Sequence, residues 1–541
     1  MTTTTTTTTT PRARDCAPSS RRRPLLAPPP DAAADGEAAS PSSASRPVDW
    51  RATGLCFALP ALAGALFGAD IGGTSGAVVS LTGPAAGADW AGASLSPLQS
   101  GAVVSASLFG ALAASSAALA AGDRVLGRRA ELAAAGLLYA AGSAGAALSP
   151  SFAALVAARG VYGLGIGLAM HAAPAYISET APASVRGLLV ALKEAAIVGG
   201  ILLGYVAGAA LAGEGDVGGW RSVYACACPF GAALAAGSLA LIPESPRFLL
   251  LAGKGRDAAA DAFRRAEGAR AADPAVVDRE LGAVEAALAE ARGAEAALAG
   301  AGGGGRAWFL QPRYRRPLVV GLSLVTLQQL TGQPSVLYYA ASIFRAAGFA
   351  GDDGARVAVG LGAFKLVMTL AAVALVDRAG RRPLLLGGVS GMTAALAVLA
   401  WASARAGEGA GLPPDAAAAG AAAAAAGAPC SAALVSVAAL LLYVGCYQLS
   451  FGPISWLLVG ELFPLGRRGA AIAAAVLTNF GTNALVSLAL PQLQSALGPS
   501  ATYASFAAMG VVAVAVINAI VPETRGKTLE EIEQLWVGDD D

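Results

Sequence analysis

"ETAPASVRG" at residues 179–187 and "ELFPLGRRG" at residues 461–469 fit one pattern, E-x-x-P-x-x-x-R-G, at identical spacing. Two further pairs keep the same order: "DRVLGRR" (123–129) returns as "DRAGRR" (377–382), and "PESPR" (243–247) returns as "PETRG" (522–526). Motifs that recur in order mark a duplication, and the stretches between them show what was duplicated. A bilayer-spanning helix needs about 20 apolar residues. Stretches of that kind run over 54–81, 98–121, 131–148, 152–178, 187–211 and 221–242, then over 316–345, 355–376, 383–404, 431–459, 469–494 and 500–521. The expected fold is an all-α membrane protein of the 6+6 kind: twelve transmembrane helices in two six-helix bundles joined by a cytosolic helical linker. Repeated bundles of this sort rock about a site at the bilayer midplane.

Composition agrees. Of 541 residues, 55% are hydrophobic and 13% charged, with a mean hydropathy of +0.59, too apolar for a soluble chain of this size. A net charge of +1, without a basic stripe, excludes nucleic acid as a partner. Six cysteines and one histidine lack the spacing of a metal site, so no metal and no cofactor is expected. One histidine and no HExxH pattern also argue against a membrane enzyme.

Five segments follow. Residues 1–50, with a threonine run and basic, Pro-rich sequence, read as a disordered tail, either a plain cytosolic tail or an organelle transit peptide. Residues 51–250 form the first bundle and 311–522 the second. Residues 251–310 mix both charge signs at helical spacing and contain "AGGGGR", reading as short surface helices with a flexible joint. Residues 523–541 make a cytosolic tail. Basic clusters in the loops around 123–129, 381–383 and 467–468 lie on the linker's side, and the positive-inside rule makes that side, with both termini, cytosolic. Asp123, Arg128, Glu179 and Arg186, with Asp377, Arg381, Glu461 and Arg468, sit where loop charges meet helix ends. They read as latches that tie the cytosolic faces in one state and release them in the other.

Charges within the spans need partners. Counting inward from the outer ends at 1.5 Å per residue, Arg159 lies roughly 10 Å and Asp70 roughly 16 Å deep, which allows contact. A lone carboxylate that can trade a proton for a guanidinium is the chemistry of a proton-coupled carrier; a permanent structural pair is the other reading. His171 reads as a pore-lining or satisfied core residue. Lys193 and Glu194 are adjacent, so they point apart: Lys193 is expected to snorkel outward and Glu194 to face the cavity. Lys365 lies near midplane with its partner unassigned.

"VTLQQLTGQPSVLYYA" (325–340) places Gln328 and Gln329 before a Gly-Gln-Pro break at Pro334. Amides donate and accept, as sugar hydroxyls do. "FGPISWLLVGE" (451–461) offers Trp456 after a second Gly-Pro break, and Asn479 and Asn483 share one helical face. Neutral polar groups beside one indole suit a polyhydroxylated neutral ligand.

Over residues 54–536 the chain resembles the sugar-porter family of the major facilitator superfamily. The resemblance is carried by "RGVYGLGIGLAMHAAPAYISETAPASVRG", "PESPRFLL", "QQLTGQPSVLYYA", "DRAGRRPLL", "GPISWLLVGELFP" and "PETRGKTLEEIE". By "LKE", "MHAAP", "LLYVGCYQLSFGPISW" and "VLTNF" it is similar to the plant and algal group called D-xylose-proton symporter-like or vacuolar glucose transporters. The resemblance implies that Phe67, Gln328, Gln329, Trp456 and Asn479 line a sugar site, that Tyr338 and Tyr339 gate it, and that Asp70 with Arg159 couples protons. Four positions depart from the bacterial symporters and animal glucose carriers. Glu194 stands for a sugar-binding glutamine, Pro334 for an asparagine, Ile201 for a polar contact and Lys365 for an asparagine, so glucose, xylose, another hexose or a polyol stay open. The expected function is alternating-access transport of a monosaccharide by a monomer in a lipid bilayer, as proton symporter or antiporter. An uncoupled facilitator is the alternative, as is a non-transporting sensor, which would carry a longer cytosolic tail. Plasma, vacuolar and plastid envelope membranes all fit.

Overall fold

The computed structural model describes residues 48–82, 95–121, 126–182, 184–212, 218–300, 312–346, 353–408, 430–463 and 465–525, with isolated residues 1–2, 349, 527 and 531–532. The expected disordered tail, the "AGGGGR" joint and the acidic C-terminal tip lie outside the described residues, except for residues 1–2 and 48–50 of the tail.

The first bundle is built from α1 (Trp50–Thr82), α2 (Pro97–Ala121), α3 (Arg128–Ala147), α4 (Phe152–Thr180), α5 (Arg186–Leu211), and α6 (Gly219–Ala225) continuing into α7 (Ala227–Ala240). Between the bundles run α8 (Pro246–Leu251), α9 (Arg256–Glu267), a 3-10 turn at Gly268–Ala272 and α10 (Pro274–Gly300). At 27 residues α10 is longer than the short helices expected there. The second bundle holds α11 (Pro312–Leu330), α12 (Gln333–Tyr338), α13 (Ala340–Ala346), α14 (Asp353–Ala379), α15 (Arg381–Glu408), α16 (Cys430–Leu449), α17 (Phe451–Glu461) and α18 (Leu465–Ile520). Among the described residues, nine helices are long and apolar enough to cross a bilayer. Twelve spans result when α18 is split at Gly498 (φ 80°), and when α3 and the broken rod α11–α13 are added.

The two halves pack by the same rule. In the first, α1 lies on α5, α2 and α3 on α4, and α3 on α7; in the second, α11 lies on α18, α14 and α15 on α16, and α15 on α18. Contacts between halves run α2 to α18, α5 to α14, and α1 to α12 and α13. The duplicated motifs thus sit on duplicated packing.

Small residues set how close the helices come. Glycines recur every fourth residue along α1 at Gly64, Gly68, Gly72 and Gly76, facing Gly200, Gly204 and Gly208 of α5. A Cβ on Gly68 would overlap the Ile197 carbonyl, and one on Gly72 the Ile201 carbonyl. With lipid on the outside there is no hydrophobic drive between apolar helices, so this backbone approach is itself the source of packing energy.

The breaks fall slightly apart from where the prolines lead one to expect them. The seventh span turns at Gly332, whose φ of 90° favours glycine, and Pro334 sits in the first turn of α12. There its missing N–H costs nothing, so it starts a helix rather than breaking one. Ser450, at φ −122° and ψ −97°, makes the second break, with Pro453 already inside the first turn of α17.

Candidate functional site

In the first half, four helices converge on one buried ion pair. Arg159 of α4 bonds through Nη1 to Asp70 Oδ1 and through Nη2 to Asp70 Oδ2 at 3.3 Å. The same Nη2 reaches Ser107 Oγ of α2 at 3.0 Å, and Nε donates to the Val103 carbonyl at 3.0 Å. Ser107 Oγ donates to Asp70 Oδ2 at 3.0 Å. The guanidinium also lies 5.1 Å from the centroid of the Tyr224 ring on α6. With side chains 1% and 2% exposed, a forked, fully bonded pair is the geometry in which burial of two charges is tolerable. The depth estimate for Asp70 and Arg159 therefore matches the contact found. Ser107, Val103 and Tyr224 were not legible: nothing in "VVSASLFG" separates one serine from another.

The second half presents amides. Adjacent on the last turn of α11, Gln328 and Gln329 diverge by about 100°. Gln328 Nε2 donates to Tyr447 Oη of α16 at 2.7 Å and to the Phe451 carbonyl at 3.0 Å. Gln329 Nε2 donates to Asn479 Oδ1 of α18 at 2.6 Å. Both Oε1 atoms are buried without a partner among the described protein groups. One turn along α18, Asn483 Oδ1 accepts from Ser487 Oγ at 3.2 Å. Half-buried Trp456 packs beside Val325, Val459 and Ala475. Phe67 meets Phe480 of the other half edge to face, centroids 6.2 Å apart.

On the side away from the basic loops the described residues bond the two halves together. Tyr338 is fully buried; Tyr339 Oη donates to the Ser487 carbonyl at 3.2 Å. Tyr205 Oη donates to the Leu337 carbonyl at 2.7 Å, and the Ala341 N–H donates to Ser75 Oγ at 3.1 Å. Both of these bonds join one half to the other.

The charges at 193 and 194 reverse one expectation. Lys193 does not snorkel outward: its side chain is 7% exposed, on the face of α5 that meets α1, and its Nζ reaches Glu194 Oε1 at 2.6 Å. Neighbouring side chains diverge at Cβ, yet four methylenes let the ammonium bend back to the next residue. Glu194 is 58% exposed and bonds to Lys193 rather than to the amides. Lys365 is buried and donates to Gln448 Oε1, while Gln448 Nε2 donates to Thr369 Oγ1 at 2.7 Å. His171 Nδ1 lies 2.8 Å from Glu131 Oε1.

At the basic-loop end each half carries its own clasp. Arg128 approaches Glu179 at 3.5 Å, and Glu179 accepts from Ser245 Oγ at 2.5 Å. Arg381 donates to Glu461 at 3.1 Å, and Glu461 accepts from Thr524 Oγ1 at 2.7 Å. Glu244 accepts from the Arg129 N–H at 3.1 Å, and Glu523 from the Arg381 and Arg382 N–H groups at 3.1 and 3.0 Å. These carboxylates sit at the N-termini of α3 and α15, where the exposed N–H groups favour an anion. The motifs "PESPR" and "PETRG" thus complete the latch, a role their repetition did not disclose. The described pairs lie within halves and not across them, so in this state they brace each bundle instead of tying the two faces together. Arg186 donates to the Ala181 carbonyl at 3.2 Å. Asp123 and the side chains of Asp377 and Arg468 lie outside the described residues.

A family model described as "Sugar (and other) transporter" matches residues 56–536. The chain belongs to the sugar transporter family. Among relatives of this transporter, D-xylose-proton symporter-like 3, chloroplastic, of Arabidopsis thaliana is 44% identical over 91% of this chain and 84% of its own length. The D-xylose transporter of Levilactobacillus brevis is 30% identical over 89% and 95% respectively. Among solved structures, the inward-open conformation of the xylose transporter XylE from E. coli superposes with a TM-score of 0.70 at 28% identity, covering 89% of this chain and 99% of that one. The fold is accordingly the major facilitator fold in a multi-pass membrane protein.

Proposed function

We propose that this transporter carries a neutral monosaccharide across a bilayer by alternating access, coupled to protons through Asp70. The observation that carries the reading is the buried Asp70–Arg159–Ser107 cluster beside a separate set of neutral amides. When Asp70 accepts a proton its charge is lost, and Arg159 keeps the Val103 carbonyl, Ser107 and the Tyr224 ring as partners. The guanidinium is therefore not stranded. Gln328 and Gln329 each offer an unpartnered buried acceptor that a sugar hydroxyl satisfies by donating. Trp456 and Phe67 supply apolar faces for the ring, Tyr338 and Tyr339 close the far side, and Asn479 and Asn483 complete the polar lining. The family match and relatives named for D-xylose transport and D-xylose-proton symport support the substrate class and the coupling.

The face at which the halves bond together lies opposite the basic loops. With those loops cytosolic, the conformation is inward-facing, both termini are cytosolic, and a monomer holds the complete site. Tagged localisation in cells distinguishes vacuolar, plastid envelope and plasma membrane.

The test is uptake of labelled xylose and glucose into liposomes containing the full chain, with and without an inward proton gradient. Wild type accumulates sugar only with the gradient. Asp70→Asn loses accumulation and retains counterflow exchange. Wild-type uptake that stops at equal concentrations whether or not the gradient is present returns the uncoupled facilitator; saturable binding with no flux returns the sensor.

A further inference from the structure

Lys365 is 4% exposed, its ammonium held by Gln448 Oε1 and placed 5.2 Å from the centroid of the Tyr447 ring. Among the described residues no carboxylate lies within ion-pair distance of it. A buried ammonium with only neutral partners inside a membrane bundle is costly, and such residues are kept for a function.

A carboxylate of the facing half is in register with it. Leu202 and Tyr205 of α5 touch Gly362 of α14. Glu194 precedes Leu202 by eight residues and Lys365 follows Gly362 by three, so each shares the face through which its helix meets the other half. The two helices run antiparallel, α5 starting and α14 ending at the basic-loop side. From the Gly362 contact, Lys365 lies roughly 4.5 Å and Glu194 roughly 14 Å toward that side. The offset of roughly 9 Å is within the joint reach of a lysine and a glutamate side chain. On the side of Lys365, the ammonium covers the ring of Tyr447. In the present state Glu194 is exposed and is held by Lys193 at 2.6 Å.

We propose that Lys365 is a positioning residue of the transport cycle: as the halves close on the basic-loop side, the Glu194 carboxylate leaves Lys193 and pairs with Lys365, clasping the two halves across the site. The pairing draws on Tyr447, whose hydroxyl holds Gln328, so closure and the grip on the sugar move together. This rests on the alternating-access reading above.

Two measurements on the full chain test it. The first is sugar counterflow in liposomes by Glu194→Lys, Lys365→Glu and the double exchange. Each single exchange lowers the rate about tenfold or more, and the double exchange recovers most of it. A merely structural lysine predicts that the double exchange is no faster than the slower single. The second, which needs neither sugar flux nor tolerance of a charge swap, places cysteines by Glu194→Cys and Lys365→Cys in a chain whose native cysteines are serine. A short thiol-reactive bridging reagent joins the pair and locks the side of the basic loops shut, measured as loss of labelling at Trp456→Cys. A double exchange without rescue, or a pair that the reagent never joins in the membrane, overturns the proposal. Cross-linking with no sugar transport by wild type leaves the clasp standing and rejects the transport reading instead.

Discussion

The interiors of the two halves share one packing rule and differ in chemistry. The first half buries Asp70 and Arg159 with Ser107 between them, each charge answered within the half. The second half buries the amides Gln328 and Gln329, the latter bonded to half-buried Asn479, together with the cation Lys365 held by a neutral amide. Neighbouring helices correspond, and so do the clasps Arg128–Glu179–Ser245 and Arg381–Glu461–Thr524. Duplication supplied the frame and the ends, and the interior side chains then diverged; under the proposed function the half with the ion pair is the one that responds to a proton and the half with the amides the one that grips the sugar.

That division can be broken at several points. Asp70→Ala leaves Arg159 buried without its counter-ion, a loss of about 3–5 kcal/mol. The expected result is a large fall in melting temperature in detergent and no accumulation, whereas Asp70→Asn, which fills the same space and keeps one carbonyl acceptor for the guanidinium, loses less stability, folds and exchanges. Equal stability of the two variants would mean that the pair is not desolvated as described. Gly68→Leu forces α1 away from α5 and costs about 1–3 kcal/mol or more, read as aggregation on size exclusion or a lowered melting temperature. The same change at Gly54, which faces open space, is expected to be silent. Gln329→Ala removes an amide of the proposed sugar site and the bond to Asn479; it is expected to raise the half-saturating sugar concentration about tenfold while leaving the proton dependence of wild type. A changed proton dependence in Gln329→Ala would blur the boundary between the halves.

The smallest effect concerns the clasp of the second half. Burial acts against ionisation of Glu523, but the N–H groups of Arg525, Arg381, Arg382 and Thr524 outweigh it and hold the carboxyl below its ordinary value. A carboxylate whose folded pKa is depressed stabilises above its unfolded pKa, and that stabilisation is lost as pH falls through the folded pKa. Wild type is therefore expected to melt above Glu523→Gln at neutral pH by the equivalent of about 1 kcal/mol or less. The gap closes as the pH is taken below the usual carboxylate range, and a gap independent of pH rules out ionisation as its source.

Legibility followed range. Spans, the duplication and the existence of the breaks depend on hydropathy and backbone chemistry over a few residues, and those were readable near "QQLTGQPS" and "FGPISW", although the chain turns at Gly332 and Ser450, two and three residues before the prolines. Asp70 and Arg159 could be matched because each is a rare charge at a calculable depth. Lys193 was misjudged because its direction depends on how closely the glycine ladder brings α1 to α5, and the helix period alone does not contain that distance. The partners of Gln328 and Lys365, Tyr447 and Gln448, are adjacent in "GCYQLS" and look alike as polar residues of a single span.

By itself the sequence determined that twelve apolar rods form two copies of one bundle, because a bilayer accepts only helices whose backbone groups are satisfied internally and because the punctuating motifs repeat. The tertiary structure alone decided which buried polar atoms meet. Two side chains far apart in the chain become a charge pair, a clasp or an amide cluster only when neighbouring helices fix their rotation and spacing to within a hydrogen bond's length, and both are properties of packed helices rather than of any one stretch of residues.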